Sequence, residues 1–152
     1  MALTPSQRLA YLEKWARLHY ANYLRYARDH ALVWDEKLSF SQRNLVERLT
    51  DEQAELYKDI IQAIYDADGI EPPLGYLEDV AYLNYVHLPV LFSRAVNRFD
   101  ALLPQFQTDA NACLEAGEFE LADLGQRIVD QVRAHADAIR PYCENEDQLS
   151  PA

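Results

Sequence analysis

The chain has 152 residues, 49% of them hydrophobic, with only 4 glycines and a formal net charge of −11. That length suits one buried core, and so little glycine argues against a sheet-rich fold with many tight turns. The strong acidity repels phosphate, which excludes nucleic acid and anionic membrane as natural partners.

The start, MALTPSQRLAYLEKW, is charged and amphipathic and lacks the unbroken apolar stretch of a secretory leader. No later run approaches the ~20 apolar residues that span a bilayer, so the expected location is the cytoplasm. Thr4-Pro5-Ser6-Gln7 has the form of a capping box with proline in the first turn. Leu9, Leu12, Ala16, Tyr20, Tyr23, Ala27, Ala31 and Trp34 then recur at steps of three and four. This spacing predicts one helix from Pro5 to about Leu32. Lys14, Arg17, Arg25 and Arg28 lie opposite that stripe, and the acidic excess falls in the rest of the chain. Tyr11, Trp15, Leu18 and Tyr26 sit off the stripe, so they need either a covering element or a partner.

Ser39 or Ser41 opens a short second helix through Leu49, and Thr50-Asp51-Glu52-Gln53 repeats the capping pattern to open a third. Ala54, Tyr57, Ile60, Ile61 and Ile64 form its inner face, and Gly69 ends it ahead of Pro72 and Pro73. A fourth helical stretch covers about 74–103. Pro89 cannot donate to the carbonyl of Tyr85, which predicts a kink near 86–88. Pro104 should restart the chain as a fifth helix, Gly117 should make a turn, and a sixth helix should run from Glu118 to about Ile139 before Pro141. Asp123/Arg127 and Asp130/Arg133 have the spacing of surface ion pairs on that helix. Residues 142–152 are polar and expected to fray. The fold class is therefore all-α: one domain over 1–152, an antiparallel up-and-down bundle of about four long helices plus one or two short ones.

Cys113 and Cys143 match no zinc or redox spacing. In an antiparallel hairpin they stand about 36 Å apart by helical rise, too far for a disulfide. Leu114-Glu115-Ala116-Gly117-Glu118-Phe119-Glu120-Leu121-Ala122 has the look of a tetratricopeptide turn, but its period does not recur and it reads as an ordinary hairpin.

Few residues suggest chemistry. His19 and His30 are close to three helical turns apart on one edge of the first stripe, His87 adjoins Pro89, and His135 edges the last helix. Four histidines near a bundle core can hold a metal or haem, and they can equally be core-boundary residues bonded to carbonyls and carboxylates. A di-iron bundle needs Glu-x-x-His on two helices, whereas Ala16, Ala27, Asn84 and Val132 stand three before the four histidines. Glu52 and Glu55 have the spacing of a magnesium-binding pair, but a matching second pair is missing. Glu78 and Asp79 are read as first-turn residues.

No catalytic, metal or cofactor signature emerges. The leading reading is a non-enzymatic binding protein, an acidic inhibitor or immunity-type protein for a basic partner. Glu52, Glu55, Asp59, Tyr65 and Asp66 would form the binding face, by electrostatic steering and aromatic anchoring. The alternative is a bundle that binds metal, haem or a small ligand, or an enzyme, with a pocket near His19, His30, Tyr82, Tyr85 and His87. A homo-oligomer with tyrosines at its interface is a third reading.

Overall fold

The computed structural model describes residues 2–31, 39–73 and 88–143, and within them five α-helices and no strand. Helix α1 spans Pro5–Tyr20. Thr4 closes the expected capping box: its hydroxyl accepts from Gln7 N at 3.1 Å, and Gln7 Oε1 accepts from Thr4 N at 2.9 Å. The helix does not run on to 32. A short helix α2, Tyr23–Tyr26, starts behind it and passes into a π-helical turn at Ala27–Ala31. Asn22 makes the break. Its Oδ1 accepts from Leu24 N at 3.0 Å and Arg25 N at 3.1 Å, while its Nδ2 donates to the carbonyls of His19 and Tyr20. A short amide that bonds its own backbone competes with helix continuation.

Helix α3, Phe40–Asp66, is unbroken where two helices were expected. Ser39 caps it by accepting from Gln42 N at 3.2 Å. Thr50 is not a second cap; it is buried, and its hydroxyl donates back to the Val46 carbonyl at 2.7 Å. Val46, Leu49, Leu56, Ile60 and Ile64 are buried along this helix, together with polar Gln53. At its end Asp68, not Gly69, takes the left-handed conformation, at φ 62°. Asp68 N donates to the Tyr65 carbonyl at 3.0 Å and Gly69 N to the Ile64 carbonyl at 2.9 Å, the closure expected of a Schellman motif. Gly69 sits close to its neighbours: a Cβ there would lie 2.5 Å from Leu9 Cδ1 and 2.9 Å from Ile64 Cγ2, so those side chains would have to shift.

Helix α4 spans Leu88–Glu115, with Pro89 in its first turn. The predicted kink at 86–88 lies at the edge of the described residues. The break expected at Pro104 does not occur. Pro104 deprives the Asp100 carbonyl of its partner, but both residues are exposed, so water can serve that oxygen. Gly117, at φ 77°, makes the turn, with Glu118 N donating to the Cys113 carbonyl at 3.0 Å. Helix α5 then spans Phe119–Ile139 and ends in a 3-10 turn, Arg140–Tyr142.

Helices α4 and α5 pack as an antiparallel hairpin, and α1 lies across α3. Trp15, Leu24, Ile60, Ile64, Phe92, Phe106, Ile128 and Ile139 fill the core. Each contributes roughly 1.5–3 kcal/mol by leaving water. Trp15, off the apolar stripe in sequence, is fully buried, and its Nε1–H donates to Asp109 Oδ2 at 3.1 Å. Lys14 pairs with the same carboxylate at 2.9 Å. Gly125 leaves room for the Trp15 ring. Tyr26 is buried as well, so core coverage accounts for these two aromatics. Arg127, expected to pair with Asp123, reaches across to Asp59 on α3, whereas Asp130 and Arg133 do pair, at 4.0 Å. Both cysteines are free thiols, Cys113 buried and Cys143 partly so. Among the described residues no helix is long and apolar enough to cross a membrane.

Candidate ligand cavity

The interior between α1, α3, α4 and α5 is not wholly apolar. A cavity of about 10 Å³ is lined by Leu18, His19, Gln53, Phe99, Leu102, Phe106, Gln131, Val132 and His135. A void of that size holds about one water-sized guest. The four polar lining residues come from α1, α3 and α5, and helical spacing puts each on an inward face.

Hydrogen bonds fix the orientation of this cluster. The chain begins at Asn22, whose carbonyl oxygen is held by two backbone N–H groups and whose Nδ2 donates to Gln53 Oε1 at 3.2 Å. Gln53 Nε2 therefore donates, and its acceptor is His135 Nδ1 at 3.2 Å. On the other side of that ring, Nε2–H donates to Glu52 Oε2 at 2.9 Å. Gln131 Nε2 donates to the Glu52 backbone carbonyl at 3.1 Å, which turns Gln131 Oε1 toward His19 Nε2 at 2.7 Å. His19 therefore carries its proton on Nε2. Its Nδ1 is buried and has no hydrogen-bond partner.

Burial disfavours the charged form of both imidazoles. Burial pushes His19 down to about 4, with further lowering from His135 and Arg25, against the hydrogen bond of Gln131. Burial also lowers His135, and Glu52 opposes that shift. A neutral imidazole with a bonded Nε2–H and an open Nδ1 keeps an unshared lone pair on Nδ1. The Tyr57 ring stacks beside His19, with centroids 6.5 Å apart and planes 7° apart.

Of the residues singled out in sequence, His19 lies in this cluster. His30 falls in the π-helical turn, with its side chain outside the described residues, and Tyr82, Tyr85 and His87 lie outside them too. Sequence reasoning missed Asn22, Gln53 and Gln131, and did not join His135 to His19. The residues proposed for an acidic face all lie on α3, and the acidic ones border two clefts. Glu52, Glu55 and Asp59 border a shallow cleft of about 440 Å³ with Arg127, Asp130 and Gln131. Asp66 borders a different cleft, beside Arg8 and Glu118. Tyr65 is half-exposed. The charges are already engaged within the chain: Glu52 with His135, Glu55 with Lys58, Asp59 with Arg127, and Asp66 with the amide of Gln62.

No family model and no curated protein matches the sequence. Among solved structures, the chain is similar to Dps from Thermosynechococcus elongatus, with a TM-score of 0.64, 19% identity and 96% coverage of each chain. At that identity the likeness establishes the fold, a helical bundle of the kind Dps adopts. It overturns the acidic-inhibitor reading and gives no support to a basic protein partner. The chain has a helical-bundle architecture like that of Dps, and the carboxylates chosen for the partner are bonded to side chains of its own.

A metal fits this cavity only in a restricted form. Among the described residues no three His, Cys, Asp or Glu side chains group as a metal site. A closed centre with four side-chain ligands is therefore not built here, and a haem is far too large for the space. Both nitrogens of His135 are hydrogen-bonded, which leaves the Nδ1 of His19 as the open nitrogen of this cluster.

Proposed function

We propose that this chain is a helical-bundle binding protein whose ligand is a single metal ion or a comparably small molecule, taken into the cavity between His19 and His135. The observation that carries this reading is the buried Nδ1 of His19, which has no hydrogen-bond partner, on a residue that lines the cavity. Buried polar atoms are nearly always bonded, and leaving one unmet costs about 1–3 kcal/mol. A site that retains such an atom is suited to a guest that supplies the missing bond. The architecture supports the same reading, because helical bundles build their ligand and metal sites in the core from side chains on facing helices.

The test is a titration of ¹⁵N-labelled protein with ammonium, Zn(II), Ni(II) and Cu(I), followed by imidazole NMR. A shift of the His19 Nδ1 resonance with one of these probes supports the reading. An Nδ1 resonance unmoved by all of them overturns it.

A further inference from the structure

Resting on that reading, we propose that Gln131 is the positioning residue of this site and decides the class of its guest: by holding His19 as the Nε2–H tautomer, it admits a neutral hydrogen-bond donor about the size of water and refuses acceptors. A neutral imidazole has one donor and one acceptor nitrogen, and the bond made at one fixes the role of the other. For His19 that bond is the one to Gln131 Oε1, at 2.7 Å. The Gln131 amide is itself oriented from its other end. Its Nε2 donates to the Glu52 backbone carbonyl at 3.1 Å, and a carbonyl can only accept. Oε1 is thereby the end that meets His19, the proton stays on Nε2, and Nδ1 keeps its lone pair.

His135 has the same tautomer and a different outcome. Its Nε2–H donates to Glu52 Oε2 at 2.9 Å, and its Nδ1 already accepts from Gln53 Nε2 at 3.2 Å. Both of its nitrogens are met. His19 Nδ1 is buried without a hydrogen-bond partner, and it can only accept, so a guest that meets it must donate.

Size and charge narrow the class further. A cavity of about 10 Å³ has room for one water-sized molecule. No carboxylate lines it, and Arg25 and His135 both act against positive charge at His19, so a cation would enter without a counter-charge. Water and ammonia are both neutral donors of this size.

The experiment is long-range ¹H–¹⁵N correlation on the full chain as wild type, Gln131→Leu and Gln131→Glu. Each is measured with and without ammonium chloride, at neutral and at alkaline pH, where the ammonia fraction is larger. Wild type should show His19 as a single Nε2–H tautomer. Gln131→Leu removes the acceptor, so the two His19 nitrogen signals should draw together as tautomers mix. Ammonia should then bind roughly twofold more weakly for an even mixture. Gln131→Glu returns an acceptor opposite Nε2 and should restore the single tautomer. His135 should keep its tautomer throughout, as the internal reference. A packing role alone would lower Tm in both variants and leave the tautomer of His19 unmoved. Gln131→Met, closer in shape, is read in the same way should leucine unfold the chain.

A His19 ring that stays wholly Nε2–H in Gln131→Leu overturns the role of Gln131. An Nδ1 response that follows ammonium rather than ammonia overturns the neutral class. A water cross-peak at His19 with no response to any added probe assigns water as the donor; it supports the inference and overturns the ligand-binding reading of the chain. An Nδ1 with neither response nor water overturns both.

Discussion

Asn22 Nδ2 donates to Gln53 Oε1 across 3.2 Å, and this one bond ties the break in the first helix to the histidines of the bundle interior. The same amide caps α2 through Leu24 N and Arg25 N. Asn22→Ala should therefore cost more than a lost cap. A cap is worth about 0.5–2 kcal/mol, and an unmet buried Gln53 oxygen adds about 1–3 kcal/mol. Asn22→Asp keeps the cap acceptor but loses the Nδ2 donor to Gln53 and to the His19 and Tyr20 carbonyls, so it too should be less stable than wild type. Urea unfolding of the three proteins gives the order.

Acid should destabilise the fold through His19. Its folded value lies at about 4, below the ordinary 6.5, because burial disfavours the charged ring. Below 6.5 the unfolded chain takes up a proton that the folded chain refuses. The His19 contribution is therefore complete above about pH 6.5 and is lost as pH falls toward 4. The shift corresponds to about 3 kcal/mol across that window. Paired carboxylates also respond to acid, so the measurement is a difference: unfolding free energy against pH for wild type and His19→Gln, the variant giving the flatter curve between 6.5 and 4.

Gly125→Ala should destabilise the protein although alanine is the better helix former by about 1 kcal/mol. The new Cβ would stand 2.9 Å from the Trp15 ring and 3.1 Å from Ala110 Cβ. Trp15 cannot retreat without breaking its bond to Asp109. Overpacking of this kind costs about 1–3 kcal/mol, read as a lowered Tm and a shift in Trp15 fluorescence.

Asp68→Gly should stabilise, by about 0.5–1 kcal/mol. Asp68 holds φ 62° at the end of α3, a conformation in which glycine carries no Cβ penalty. Gly117→Ala, at φ 77° with open space around it, should destabilise by a similar amount through backbone strain alone. Thermal unfolding of the two variants tests both signs.

The helices were legible because apolar spacing and caps are local. The Thr4 box, the Ser39 start and the Gly117 turn all stand where the sequence puts them. Their continuity was not legible. Thr50 has the form of a cap but faces the core, where its hydroxyl bonds backward along an intact helix. Asn22 breaks a helix whose apolar stripe runs straight past it, with no glycine or proline to mark the place. Pro104 leaves the helix unbroken at a place where both it and Asp100 are exposed. The cavity was hidden for a different reason: its members are ordinary amides and histidines from distant parts of the chain, brought together only by packing. His19 was visible as a candidate; its pairing with His135 was not.

The most direct measurement is the protonation pattern of the two rings, by long-range ¹H–¹⁵N correlation at pH 7. The predicted result is a proton on Nε2 of both His19 and His135 and an unprotonated Nδ1 on each, with the His19 Nδ1 signal responding to an added guest. A proton on His19 Nδ1, or a charged ring, would mean that Nδ1 offers no lone pair to a guest, and the binding site inferred for this bundle would not exist.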